Sequence, residues 1–158
     1  MEAAADWDHL RTPETYLGYV RSEHFASPAA GVALDESRVY KFPASLRVNH
    51  WALAGEWTIG PEKVVLARAG GIIAFRFYAR DAHLVLSSGS REPIRFRVLL
   101  NGESPGRSQG VDIDEDGNGL LLAGRIYQLV RQHDAVHEQT LEITFLEPGA
   151  EAYAFTFG

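Results

Sequence analysis

From Gly71 to Gly158 the chain is a succession of short segments in which apolar and polar residues alternate one by one, separated by Gly, Pro, Asp and Asn, with no helical period between them. Alternation puts every second side chain on the same side of an extended strand, so each segment has one face to bury and one to leave in water. A chain made of many such pieces folds as packed antiparallel sheets. Ile94-Arg95-Phe96-Arg97-Val98-Leu99-Leu100 shows the pattern best, with Ile94, Phe96, Val98 and Leu100 inward and Arg95 and Arg97 outward. Ile73, Phe75 and Phe77 share a face of an earlier segment; Leu84, Leu86, Leu141, Ile143 and Phe145 complete a candidate core. In the last strand Tyr153, Phe155 and Phe157 fall on one side.

Turn chemistry separates these segments. Asn101-Gly102 is a favoured two-residue hairpin turn, and Asp116-Gly117-Asn118-Gly119 offers several residues that tolerate positive φ. Strand signals begin near His50, where Asn49–Leu53 and Glu56–Ile59 flank an expected turn at Ala54-Gly55. Upstream, Thr12-Pro13-Glu14-Thr15-Tyr16-Leu17-Gly18 predicts one helical turn: Thr12 can cap, Pro13 suits the first helical position and Gly18 can end it. The stretch from Ser22 to Ser45 predicts an extended arm over the sheets, anchored by Phe25, Tyr40 and Phe42. About eight to ten strands at this spacing mean two packed sheets, an all-β antiparallel β-sandwich. The expected division is an edge or linker over residues 1–11 and a single domain over 12–158.

Composition removes several function classes. The 15 Lys and Arg against 21 Asp and Glu leave a formal net charge of −6, and the Arg residues stand singly, so no nucleic acid and no anionic lipid surface is expected as partner. There is no cysteine, which excludes thiol catalysis, disulfide scaffolding and Cys-based zinc sites within this chain. No apolar run reaches the roughly 18 residues of a membrane span, and the opening lacks a signal-peptide pattern, so a soluble chain without direct membrane insertion is expected.

Few motifs carry chemistry. Asp112-Ile113-Asp114-Glu115-Asp116-Gly117 matches the first half of a calcium loop, but the twelfth position is Ala123 where the bidentate Glu belongs, which favours a solvated acidic hairpin. His133 and His137 have a zinc spacing only if helical, and they sit in a loop-like segment without a third ligand. Ser87-Ser88-Gly89-Ser90 lacks the nucleophile elbow. No catalytic residue, metal or cofactor is expected. The aromatics offer more: Trp51, Trp57, Tyr78 and Tyr127, with His50, Arg76 and Arg131 near them by strand phase or sequence, are the candidate ligand-binding residues. Exposed rings can stack on sugars while such polar neighbours bond hydroxyls; a buried core role is the competing expectation.

Thr12–Tyr19, Phe25-Ala26-Ser27-Pro28, Asn49–Trp57, Ile126–Gln132 and the terminal Ala152-Tyr153-Ala154-Phe155-Thr156-Phe157-Gly158 together resemble the C-terminal domain of DipZ-type thiol-disulfide interchange and cytochrome c biogenesis proteins, over about Asp6 to Gly158. The resemblance implies a membrane-embedded electron-transfer domain and a thioredoxin-like domain with a Cys-x-x-Cys pair elsewhere in the protein. It also implies an extracytoplasmic (periplasmic or cell-envelope) location and a jelly-roll-like sandwich similar to carbohydrate-binding modules. The function it implies is a non-catalytic docking module that helps the adjacent thioredoxin-like domain recognise a protein substrate or partner. A carbohydrate-binding module for cell-envelope glycans and a purely structural appendage are the alternatives.

Overall fold

The computed structural model describes residues 4–90 and 92–158, so the first three residues of the expected linker lie outside the described residues. The fold is almost entirely antiparallel β. In chain order the strands are β1 (Thr15–Tyr16), β2 (Ser37–Tyr40), β3 (Trp51–Ile59), β4 (Val64–Leu66), β5 (Ile72–Phe77), β6 (Asp81–Ser88), β7 (Ile94–Leu100), β8 (Asn118–Leu121), β9 (Arg125–Arg131), β10 (Gln139–Phe145) and β11 (Ala150–Phe157).

Two layers share one strand. The first half of β3 pairs with β5, and the order β3-β5-β10-β7-β8 completes one sheet. Its second half pairs with β4 and β2, and β4-β11-β6-β9 continues the other, with β1 added beside β11. The chain therefore does not turn at Ala54-Gly55 as expected. It bends there within a continuous strand, and Gly55 (φ 101°) is the bend: a Cβ at this position would lie 2.9 Å from the Gly71 Cα.

Rings from the two sheets meet between the layers. Phe75 and Phe155 lie 4.9 Å apart, Trp57 and Phe145 6.1 Å, and Phe96 and Tyr127 6.1 Å edge to face. The alternation of β7 is as expected, with Ile94, Phe96 and Val98 buried and Arg95 and Arg97 in water. Phe75, Phe77, Leu84, Leu86, Leu141, Ile143, Phe145 and Phe155 are likewise buried. At the end of β7, Asn101 (φ 51°) and Gly102 (φ 81°) form the expected two-residue turn, closed by reciprocal backbone bonds between Leu100 and Glu103.

Two expectations fail near the N-terminus and in the last strand. Thr12–Gly18 forms no helical turn: Thr15 and Tyr16 pair with Phe155 and Ala154, and the Thr12 hydroxyl accepts the Tyr78 N–H at 2.7 Å instead of capping a helix. A single turn has too few internal hydrogen bonds to compete with a sheet edge. Tyr153 does not share a face with Phe155 and Phe157. Ala152 pairs with Leu86 and Ala154 with Val85, so a bulge at Tyr153 shifts the phase and turns this ring outward. The arm is extended as expected but contributes β2, and Phe25 packs against Trp51 (4.7 Å) and Tyr40 (6.0 Å) while Phe42 is half-buried.

Candidate functional site

Strand register builds a concave surface on the outer side of the sheet that holds β1, β11, β6 and β9. Tyr16 stands opposite Ala154, Ala154 opposite Val85, and Val85 opposite Ile126, giving one apolar row across four strands. The neighbouring row, Thr15, Phe155, Leu84 and Tyr127, points into the core and is buried. At about 4.8 Å per strand spacing the outer row is about 14 Å long.

Tyr16, Ala154 and Val85 of this row floor a groove of about 700 Å³ whose walls include Glu14, Val20, Arg21, Glu62, Arg125 and the out-turned Tyr153. Gly18 closes one wall. A Cβ there would lie 2.3 Å from the Glu62 carbonyl carbon, so only glycine lets the segment after β1 lie against the turn before β4.

Ser87 and Tyr153 line the groove, and both are held through Glu151 and Lys63 beside it. Lys63 Nζ donates to Glu151 Oε2 at 2.6 Å, the Ser87 hydroxyl donates to Glu151 Oε1 at 2.8 Å, and Ser87 Oγ lies 3.1 Å from Tyr153 Oη. Burial pushes the Glu151 carboxyl up, but the Lys63 and Ser87 donors outweigh it and hold it below the usual carboxylate range; the same bond raises the Lys63 ammonium. The Arg21 guanidinium lies over the Tyr16 ring at 3.8 Å, and a hydrogen bond to Glu14 pushes the Tyr16 phenol above its usual value. Arg125 lies over Tyr127 at 3.9 Å and pairs with Asp112 at 2.9 Å. Ser87 already gives its proton to a carboxylate whose charge Lys63 meets.

The residues singled out from sequence lie elsewhere. Trp51 and Trp57 are fully buried and Tyr127 is 1% exposed, so these three form no exposed platform. Each buries a satisfied polar tip: Trp51 Nε1 donates to Glu23 O, Trp57 Nε1 to Ala54 O, and the Tyr127 hydroxyl to Ala123 O. On β9 it is Ile126, 43% exposed, that faces water, because pairing with β6 sets its phase. Tyr78 is half-buried, covered by Arg11 at 5.0 Å and donating to Val136 O.

His50 and Arg76 do come together at the β3–β5 border, where the Arg76 N–H donates to His50 O. Arg76 also ties down Leu46 O and pairs with Glu138. His50 stacks on His24 at 5.0 Å; burial, with His24 and Arg47 beside it, lowers its basicity. Arg131 is a structural partner, bidentate at 2.8 Å to Asp81, which also holds Arg80. The acidic hairpin serves its own turn: Asp114 Oδ1 accepts the Asp116 and Asn118 N–H groups, and Asp112 accepts from Gln128 N and Arg125.

Tyr16 and Tyr153, the rings that do line the groove, were assigned from sequence to a helical turn and to the same side of the last strand as Phe155 and Phe157. No local signal marks the bulge that turns Tyr153 around.

Comparison with known proteins places these observations. Protein DipZ of Mycobacterium bovis (strain ATCC BAA-935 / AF2122/97) is 32% identical over 76 residues, which cover 48% of this chain and 10% of that protein. Protein DipZ of Mycobacterium tuberculosis (strain CDC 1551 / Oshkosh) matches to the same extent, so the aligned part is about a tenth of the length of either relative. The family described as "Thioredoxin like C-terminal domain" matches residues 12–158, and this chain belongs to that family.

Proposed function

We propose that residues 12–158 form a non-catalytic recognition module of a thiol-disulfide protein, which docks a protein substrate or partner for an adjoining thioredoxin-like domain outside the cytoplasm. The observation that carries this is the outward apolar row Tyr16–Ala154–Val85–Ile126, lined up by register on an outer sheet face, with its first three members in a groove flanked by charged side chains. An apolar strip with a polar rim is the usual form of a protein contact. Thiol-disulfide exchange needs an attacking thiolate, and this chain has no cysteine, which supports a contribution by binding over one by exchange.

The test is made in the full-length protein, with Val85→Lys placing a charge in the middle of the row. Reduction of a small soluble disulfide should be unchanged, and reduction of a protein disulfide should slow about tenfold, the scale of one well-placed contact side chain. Equal loss on both substrates would assign the module a purely structural role; binding of cell-envelope glycan, abolished by Val85→Lys, would assign it to carbohydrate instead.

A further inference from the structure

We infer that His24 and His50 form a latch, opened by acid, that holds residues 23–27 along the otherwise uncovered edge of the first half of β3.

The first half of β3 pairs with β5 on one side. Its other edge is covered by the start of the arm, which runs parallel to it. Phe25 bridges to Trp51, the Ala26 N–H donates to Trp51 O at 2.7 Å, and the Trp51 N–H donates to His24 O at 3.1 Å. Ser27 extends the cover: its hydroxyl accepts the Leu53 N–H at 3.0 Å and donates to Leu53 O at 2.9 Å. Lifting this segment would leave those β3 groups as an open sheet edge.

The two imidazoles close the seam at its start, stacked at 5.0 Å and within 12° of parallel. His24 holds φ 61°, a sparsely populated left-handed backbone, so the segment relies on its contacts to keep this conformation. Neutral rings can stack in this way, whereas two imidazolium rings face to face repel. Burial first, then His24 and Arg47 beside it, hold His50 below the ordinary histidine value. Arg76 of β5, whose N–H donates to His50 O, is paired with Glu138 of the turn before β10. On the other side Glu14, Arg21 and Glu23 line a pocket together with His24. Among the described residues no salt bridge joins either imidazole to a carboxylate. A histidine held neutral in the closed state takes up a proton on opening. The latch is therefore at full strength above the unfolded histidine value of about 6.5, and it weakens as pH falls below that value through the folded one.

The experiment is residue-resolved hydrogen exchange on this chain at about pH 7.5 and about pH 5.5, either side of the histidine range, each rate divided by the intrinsic rate at that pH. Opening that takes up one proton gains up to about tenfold per pH unit, so partial uptake should lower protection of the Ala26, Trp51 and Leu53 amides about fivefold. The Val98 amide, bonded to Gly117 O in the far part of the same sheet, should keep its protection. His24→Asn, a residue that tolerates the left-handed backbone, should leave about half of the change or less, and His24→Asn combined with His50→Gln should leave none. Thermal melts at neutral pH check that both variants are folded; if the double variant is not, His24→Asn alone decides. Unchanged protection of the three amides, an equal loss at Val98, or the full change persisting in His24→Asn overturns the latch.

Discussion

Phe96 is the side chain whose removal tests the sandwich most directly. It is 1% exposed, on β7, and it reaches across the layers to Tyr127 at 6.1 Å while touching Phe145 of its own sheet at 6.3 Å. Truncation to Ala removes a fully buried ring and two aromatic pairs, a loss of about 3–5 kcal/mol. For a chain of this length that corresponds to roughly 10 °C in melting temperature. A second substitution makes the test specific to this packing. A Cβ at Gly119 would lie 2.3 Å from Phe96 Cζ, so Gly119→Ala should cost about 1–3 kcal/mol in the native background. With Phe96→Ala already in place the ring is gone, and the nearest remaining obstacle is Asp112 O at 3.0 Å. The cost of Gly119→Ala should then shrink by about 1 kcal/mol or more, a coupling that urea denaturation of the four proteins in the cycle measures. A loss below about 1 kcal/mol for Phe96→Ala, or an unchanged cost of Gly119→Ala in the two backgrounds, would mean that the inward face of β7 or its approach to β8 is misassigned.

Asp81 is 2% exposed; burial pushes its pKa up, but Arg131 and Arg80 outweigh burial and bring it below the ordinary aspartate value. A depressed folded pKa gives stability that is present above the unfolded value of about 4 and is lost as pH falls through the folded one. Arg131→Met should therefore cost about 3 kcal/mol at neutral pH, and urea midpoints of variant and native chain should converge as the pH is lowered; a constant difference would argue against the ion pair as the cause. At the acidic hairpin, calcium calorimetry should find no sub-micromolar site, since Asp114 Oδ1 is engaged by two backbone N–H groups. Asp114→Ala should instead lower stability by about 1 kcal/mol through loss of those turn bonds; tight calcium binding that this substitution abolishes would refute the assignment.

Much of this protein was legible in its sequence because period-two alternation is a local property. It assigns the two faces of β7 and β10 without reference to any neighbour, and Asn101-Gly102 adopts positive φ at both positions for reasons contained in two residues. Tertiary structure decided the rest. The Thr12–Gly18 segment carries helix-start residues, yet an available edge of β11 outweighed a single turn. Tyr127 and Ile126 each could face the core; pairing with Leu84 and Val85 of β6 settled which does, and two backbone partners for the Tyr127 hydroxyl made its burial inexpensive. One bulge at Tyr153 carried that ring from the core side to the groove. Composition and spacing determined that the chain is a cysteine-free all-β protein with an aromatic core. The groove itself depends on Tyr16, Ala154 and Val85 coming into line, and register between strands so distant in sequence is settled only when the sheets pack.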